Sequence, residues 1–213
     1  MKNVIFDLGG VLIEWNPDRI LEGYYDDPRI RALMKAEVFQ HADWLHLDRG
    51  TLLEAELLER VCGRTGRPET EFAGFMDAVR ASLHVKADTA SLLGRLSDRG
   101  VPLYCLSNMS SDTFKYLRKR HSFWGAFRGI VISGDVQMMK PEPEIFRLLL
   151  ERYGLNARET VFVDDVSANV KAAHALGLHT VWFKDAGQCE RELETILGGW
   201  PSHPAGGFAA ELE

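Results

Sequence analysis

Apolar positions in this chain follow two rhythms. Four short runs are almost continuously apolar and rich in β-forming residues: Asn3 to Phe6, Val101 to Leu106, Gly129 to Ile132 and Thr160 to Val163, with His179 to Phe183 a fifth. Runs of this kind suit strands covered on both faces. Between most of them the apolar residues recur at helical spacing. Leu92, Leu93 and Leu96 share one side of Thr89 to Arg99, Ile145, Leu148 and Leu149 one side of Glu144 to Tyr153, and Val170 to Leu176 repeats the pattern. Strand and helix in alternation predict an α/β protein: a parallel sheet with helices on both faces.

The alternation breaks between the first two strands. From Glu14 to His84 no strand pattern is found, and several helices are predicted instead. Pro28 to Phe39 places Ile30, Leu33, Met34 and Val38 at helical spacing, and Glu69 to Leu83 does the same with Phe72, Phe75, Met76 and Val79. Thr51-Leu52-Leu53-Glu54 reads as a capping box opening a helix to Val61, with Asp48-Arg49-Gly50 as the turn before it. The division expected is a core of residues 1–13 and 85–197 and a helical insert of residues 14–84. That insert reads as a lid over the strand ends, as a helical layer on the core, or as both. The tail, residues 198–213, carries glycines, prolines and small residues and is expected to form little regular structure.

Composition narrows the partners. The 213 residues are 46% hydrophobic and 26% charged, which allows one larger domain or a domain with an insert. Net charge is −6, with no long basic run, which argues against nucleic acid and anionic membrane as partners while leaving room for a local basic pocket. Cys62, Cys105 and Cys189 are odd in number and far apart, as free thiols in a reducing compartment would be. The first run begins almost at Met1 and no run is long enough to span a bilayer, so a cytoplasmic protein is expected. The sequence assigns no oligomeric state.

Chemistry concentrates at the ends of the apolar runs. Asp7 follows Val4-Ile5-Phe6 and precedes Leu8-Gly9-Gly10, a carboxylate at a strand tip where open α/β sheets bind ligands. It reads as a nucleophile, against the plainer reading of a turn Asp. The second run ends in Ser107-Asn108 ahead of a helix start, a cradle for an anion or simply a helix cap. Lys140 precedes Pro141 and is held extended just before a helix, where it can neutralise a carboxylate or a phosphate oxygen. The fourth run ends in Asp164-Asp165. Two adjacent carboxylates repel, and a cation, a helix N-terminus or a raised pKa must offset that. Mg²⁺ fits, because it takes one or two protein carboxylates and keeps places for water and a phosphate oxygen.

With these residues in place, the chain up to about Leu197 resembles the haloacid dehalogenase superfamily of hydrolases, with its Rossmann-like core. Phe6-Asp7-Leu8-Gly9-Gly10-Val11-Leu12 is similar to its first motif, Ser107-Asn108 to its second, Lys140-Pro141 to its third, and Asp164-Asp165 with Asn169 to its fourth. The helical insert is similar to its cap domain. The resemblance implies that Asp7 forms a covalent aspartyl intermediate and that Ser107 and Asn108 hold the transferred group. It implies that Lys140 steadies Asp7 and the leaving charge. Asp165 and then Asp164 would bind Mg²⁺ together with Asp7 and the Gly9 carbonyl.

One position departs from the family's phosphatases. They carry a second Asp two residues after the nucleophile as general acid/base, and here that residue is Gly9. Losing a general acid typically costs about 10²–10⁴ in rate, roughly 3–5 kcal/mol of barrier. Glu14, His41 and His46 are the candidate replacements; the other outcomes open are a substrate whose leaving group needs no acid, and a weak enzyme or none. The family's dehalogenases also lack that Asp. They have no use for the Asp164-Asp165 pair, however, and often place a tyrosine where this chain has Phe146. A subgroup combining Asp-x-Gly in the first motif with Asp-Asp in the fourth includes sugar-phosphate phosphatases and resembles this chain best, and the Asp-x-Gly turn at Asp48 to Gly50 also resembles that subgroup.

The function expected is an Mg²⁺-dependent phosphatase for small phosphorylated metabolites. A 2-haloacid dehalogenase is the alternative, and a non-catalytic member that binds a phospho-ligand or partner is the third. Trp15, Asn16, Trp44, His46 and Arg49 are candidates to face the site from the cap, with the two tryptophans more readily explained as packing.

Overall fold

The computed structural model describes residues 2–198; the predicted tail lies, beyond Gly198, outside the described residues. Strands β1 (Asn3–Phe6), β2 (Leu103–Ser107), β3 (Phe127–Ile132), β4 (Thr160–Asp164) and β5 (His179–Trp182) form one sheet in the order β3-β2-β1-β4-β5, with every pairing parallel. The chain therefore walks outward from β1 in one direction and returns to β1's other side with β4. That reversal makes a crevice beyond the carboxyl ends of β1 and β4. β2 starts two residues later than the apolar run, after Pro102, which has no N–H for the ladder.

Five helices lie in the insert: α1 (Pro17–Tyr24), α2 (Pro28–Met34), α3 (Ala42–Arg49), α4 (Glu54–Thr65) and α5 (Glu69–Ala81). Six follow: α6 (Ala87–Asp98), α7 (Ser111–Arg120), α8 (Ser133–Val136), α9 (Pro143–Tyr153), α10 (Ser167–Ala175) and α11 (Ala186–Leu197). The pleat divides β1 between two cores. Val4 and Phe6 pack with residues of α6, α7 and α11, while Ile5 packs with Ile145, Phe146 and Leu149 of α9 and Ala173 of α10. A third core, built on Leu21, Met34, Val38, Leu57, Phe72 and Phe75, belongs wholly to the insert.

Within the insert, local details differ from the sequence reading. The helix predicted over Pro28 to Phe39 loosens after Met34 into a π-helical turn, Lys35–Phe39. Asp48 and Arg49 are the last residues of α3, not a turn. Gly50, at φ 78°, closes the helix in the left-handed conformation glycine favours. Thr51 is not the cap of α4. Its amide and hydroxyl bond back to the His46 carbonyl, at 2.9 and 3.3 Å. The cap position shifts to Leu53, whose amide donates to Glu56 Oε2 at 2.8 Å.

The insert leaves and rejoins the sheet at adjacent points. The Glu14 amide donates to the His84 carbonyl at 2.8 Å and the Lys86 amide to that of Leu12 at 2.9 Å, with Ile13 and Val85 bridged antiparallel between them. A second contact lies at the far end. A Cβ on Gly50 would sit 2.3 Å from the Gly134 carbonyl oxygen, so backbone meets backbone there. Beside it the Arg49 guanidinium forms a two-pronged pair with Glu142, at 2.9 Å from Nη1 to Oε2.

Candidate active site

The register of the sheet brings the predicted residues to one edge. Phe6 pairs with Val163 and Cys105, so the residues that follow them, Asp7, Asp164 and Leu106, stand level at the carboxyl ends, with Ser107 one step beyond. The Asp7 amide continues the ladder to the Val163 carbonyl at 3.0 Å, and its Oδ1 accepts from the Leu8 amide at 2.7 Å. Leu8 to Ile13 then fold back in a tight turn, the Leu8 carbonyl accepting from Leu12 and Ile13 at 2.8 and 2.7 Å.

Lys140 reaches into this edge. Its Nζ lies 2.8 Å from Asp7 Oδ1 and 2.7 Å from Asp164 Oδ2, and its peptide bond to Pro141 is cis. Asn108 holds the lysine's backbone: its Nδ2 donates to the Lys140 carbonyl and its Oδ1 accepts from the Lys140 amide, both at 2.8 Å. The asparagine side chain is thus engaged with the third motif. Ser107 is buried at the end of β2, and the helix cap of α7 is Ser110, not Ser107 or Asn108.

The two members of the doublet meet different surroundings. Asp164 is fully buried. It accepts from Lys140, from the Val166 amide at 2.8 Å and from Asn169 Nδ2 at 3.1 Å to each oxygen. Asp165 is partly exposed, and its Oδ1 is a buried atom with no hydrogen-bond partner among the described residues. Its carbonyl accepts from the Trp182 indole at 2.8 Å. One carboxylate oxygen each from Asp7, Asp164 and Asp165 lie within 4.8 Å of one another.

Three carboxylates around one ammonium leave excess negative charge in a dry place. Burial, with Asp164 and Asp165 close by, pushes Asp7 up to about 7 against the pull of Lys140. Burial and Asp164 raise Asp165 as well. For Lys140 burial acts downward, but Asp7 and Asp164 outweigh it and hold the ammonium above its usual range. A divalent cation fits this donor set. It would give the unpartnered Asp165 oxygen a ligand and balance the charge that now favours protonation.

Two clefts flank the cluster. The larger, about 490 Å³, runs past Gly10, Glu14, Asn16, Arg19, His84, Lys86 and Asp165. The smaller, about 110 Å³, has Gly9, Asn108 and Asp48 on its polar part and Ile13, Trp44, Val79, Leu83 and Met109 on its apolar part. Trp15 borders both. It stacks on Trp44 at 5.9 Å, so the tryptophans pack together and also wall the smaller cleft.

Of the three proton donors named from the sequence, Glu14 borders one of these two clefts and the histidines border neither. His41 caps α3 by accepting from the Asp43 amide at 3.1 Å, and His46 Nδ1 lies 3.1 Å from the Thr51 hydroxyl. Arg49 faces Glu142. Two residues near the centre were not among the site candidates read from the sequence. Lys86 donates to the Gly10 carbonyl at 2.7 Å and lies over the Phe183 ring at 4.8 Å. Asp48 faces the smaller cleft; its four-residue spacing from Trp44 on one helix was the available clue.

The switch point of the parallel sheet thus gathers three carboxylates and a lysine at the strand ends. The model of the haloacid dehalogenase-like hydrolases matches residues 1–177, and the chain belongs to that family. Over 197 residues it is 30% identical to a sesquiterpene phosphatase of Aspergillus oryzae, covering 92% of this chain and 97% of the relative. A D-ribitol-5-phosphate phosphatase of Bacteroides thetaiotaomicron is 26% identical, covering 92% and 98%. A drimenol cyclase of Aspergillus calidoustus matches at 28% identity, but the chain spans only 37% of its length. Among solved structures, a HAD family enzyme of Bacteroides thetaiotaomicron in complex with magnesium and inorganic phosphate superposes with TM-score 0.71 at 27% identity, covering 86% of this chain and 94% of that one. An L-2-haloacid dehalogenase of Xanthobacter autotrophicus shares the fold, with TM-score 0.64 at 20% identity.

Proposed function

We propose that this hydrolase is an Mg²⁺-dependent phosphatase of small phosphoric monoesters that works through an aspartyl-phosphate on Asp7. The observation that carries the reading is the cluster of Asp7, Asp164 and Asp165 around Lys140, with an Asp165 oxygen left without a partner. A halide-displacing site needs no such charge. The relatives named as phosphatases support the same choice.

Both contacts to the Asp7 carboxylate described above fall on Oδ1, so Oδ2 is the oxygen for attack. Lys140 holds Asp7 in place and offsets the negative charge that gathers on the transferred group. Ser107 and the backbone after β2 receive the phosphoryl oxygens, and Asn108 fixes Lys140 from behind. Asp7, Asp165, Asp164 and the Gly9 carbonyl would hold Mg²⁺, which when bound polarises a phosphoryl oxygen and neutralises developing charge.

Residues 14–84 act as the substrate-selecting cap on a core of residues 1–13 and 85–197. The cleft wall beside Gly9 and Asn108 is made of Ile13, Trp15, Trp44, Val79, Leu83 and Met109, a lining that favours an alcohol with an apolar body over a sugar. The sesquiterpene phosphatase relative points the same way. A reducing, cytoplasmic setting accords with three unpaired cysteines, of which Cys62 is partly exposed.

Phosphate release from terpenyl, alkyl, aryl and sugar phosphates, each with Mg²⁺ and with EDTA, tests the proposal. Release that requires Mg²⁺ and favours apolar alcohols is expected. Halide release from 2-haloacids that ignores EDTA, without phosphate release, would replace this reading with the dehalogenase one.

A further inference from the structure

We infer that Asp48, at the end of the third cap helix, is the proton donor that Gly9 does not supply. The inference rests on the phosphatase reading and deepens it. Asp48 lines the smaller cleft together with Gly9, two residues after Asp7, and Asn108, next to Ser107, so a substrate seated in that cleft would lie between Asp48 and the strand ends. The other candidates are engaged or placed elsewhere. His41 and His46 are held by partners on their own segment, and Glu14 borders the opposite cleft, 4.0 Å from Arg19.

Three contacts fix Asp48 against the core. Ser133 Oγ donates to its carbonyl at 2.5 Å, while the same hydroxyl accepts from the Met109 amide at 2.8 Å. Gly50, two residues on, stands against Gly134 with no room for a side chain. Arg49, the cation beside it in sequence, is turned to Glu142. An acidic residue whose backbone is anchored this firmly at a cleft wall, with its neighbouring cation drawn off, is arranged for something other than a surface ion pair. Its protonation suits the task. Burial pushes it up to about 7, and the Ser110 amide and Trp44 indole only partly offset this. Near neutral pH a large fraction therefore carries a proton.

The reaction balances as follows. Asp7 Oδ2 forms a bond to phosphorus, the bond from phosphorus to the ester oxygen breaks, and its electron pair stays on that oxygen. The oxygen takes the Asp48 proton and leaves as a neutral alcohol. In the second half, the Asp48 carboxylate takes a proton from water as the water oxygen bonds to phosphorus. The bond from phosphorus to Asp7 then breaks and returns its electron pair to the Asp7 carboxylate. Phosphate is released and Asp48 is protonated again.

The test measures kcat/KM for a series of phosphoric monoesters, from p-nitrophenyl phosphate to simple alkyl phosphates, in wild type and in Asp48→Asn. The amide keeps the shape and an acceptor for the Ser110 amide but carries no transferable proton. A donor makes the wild-type rate depend shallowly on leaving-group basicity. Asp48→Asn is then expected to steepen that dependence, raising the aryl-to-alkyl ratio by about 10²–10³. A parallel fall for both ester types would mean a packing role and overturn the inference. A steep dependence in wild type would overturn it without any variant. Absence of phosphate release from every ester in wild type would overturn the phosphatase reading, and this inference with it.

Discussion

The Lys140 ammonium lies 2.8 Å from the carboxylate of Asp7, and both groups are withdrawn from solvent. Removing one partner of such a pair leaves the other buried and uncompensated, which costs about 3–5 kcal/mol. Lys140→Met should therefore unfold at markedly lower urea concentration than wild type when metal is absent. Phosphate release should drop at least about 10²-fold, the scale for losing one electrostatic stabiliser. Urea titration in EDTA and steady-state assays check both.

Asp7→Asn separates catalysis from folding in the other direction. It deletes the proposed nucleophile and removes one of three crowded negative charges. Turnover should fall by at least about 10³-fold, while the melting temperature in EDTA holds or rises. Retained turnover would exclude Asp7 as the attacking group.

Stability should depend on pH in a way Mg²⁺ corrects. Asp7 is raised from its ordinary value to about 7, and Asp165 is raised too. A carboxyl with a raised folded pKa binds its proton more tightly in the native state, so the associated stability is present below about 4 and lost as pH climbs through about 7. In EDTA the melting temperature should decline from pH 5 to pH 8. Because metal competes with protons for the same oxygens, the Mg²⁺-induced rise in melting temperature should be larger at pH 8. Equal shifts at pH 5 and pH 8 would contradict the assignment.

The neighbouring glycines should respond differently to substitution. A Cβ on Gly10 would fall 2.0 Å from Asp165 Oδ2, and its φ is +74°. Gly10→Ala must push Asp165 aside and strain the turn, at a cost of about 1–3 kcal/mol, and should weaken Mg²⁺ binding by calorimetry. At Gly9 the neighbour within 4 Å is Trp15 Cβ, at 3.9 Å. Gly9→Asp should be tolerated there, and in the Asp48→Asn background it should recover alkyl phosphate turnover by about tenfold or more.

The sheet and the residues at its ends were legible because both signals are local. Continuous apolar runs mark buried strands, and Asp7, Ser107, Lys140 and Asp164 each sit where a run or a Pro-bounded segment ends. The unequal fates of Asp164 and Asp165 were not legible. They depend on Asn169 in the first turn of α10 and on Lys140 arriving from another loop. Asn108 illustrates the same limit. A hydroxyl-amide pair before a helix suggested an anion cradle, but the amide locks onto the Lys140 backbone, a partner that only the folded sheet brings near. Asp48 was hidden because Asp-Arg-Gly reads as a turn. Gly50 alone makes the turn, and the helix carries Asp48 onto the same face as Trp44. Its place by the cleft is set by Ser133 and Gly134, far away in sequence.

The antiparallel bridge between Ile13 and Val85 gives the insert a doorway one bridge wide. Most apolar residues between those two form an interior of their own, with Leu83 packing into the core of the sheet instead, and the chain returns to where it left. A different helical block spliced between the same two positions would meet an unchanged set of strand ends. The strand-end carboxylates and Lys140 stand outside the excursion, while Asp48 and most of the apolar cleft wall arrive with it, so exchanging the helical block would change the inferred proton donor together with the cleft lining.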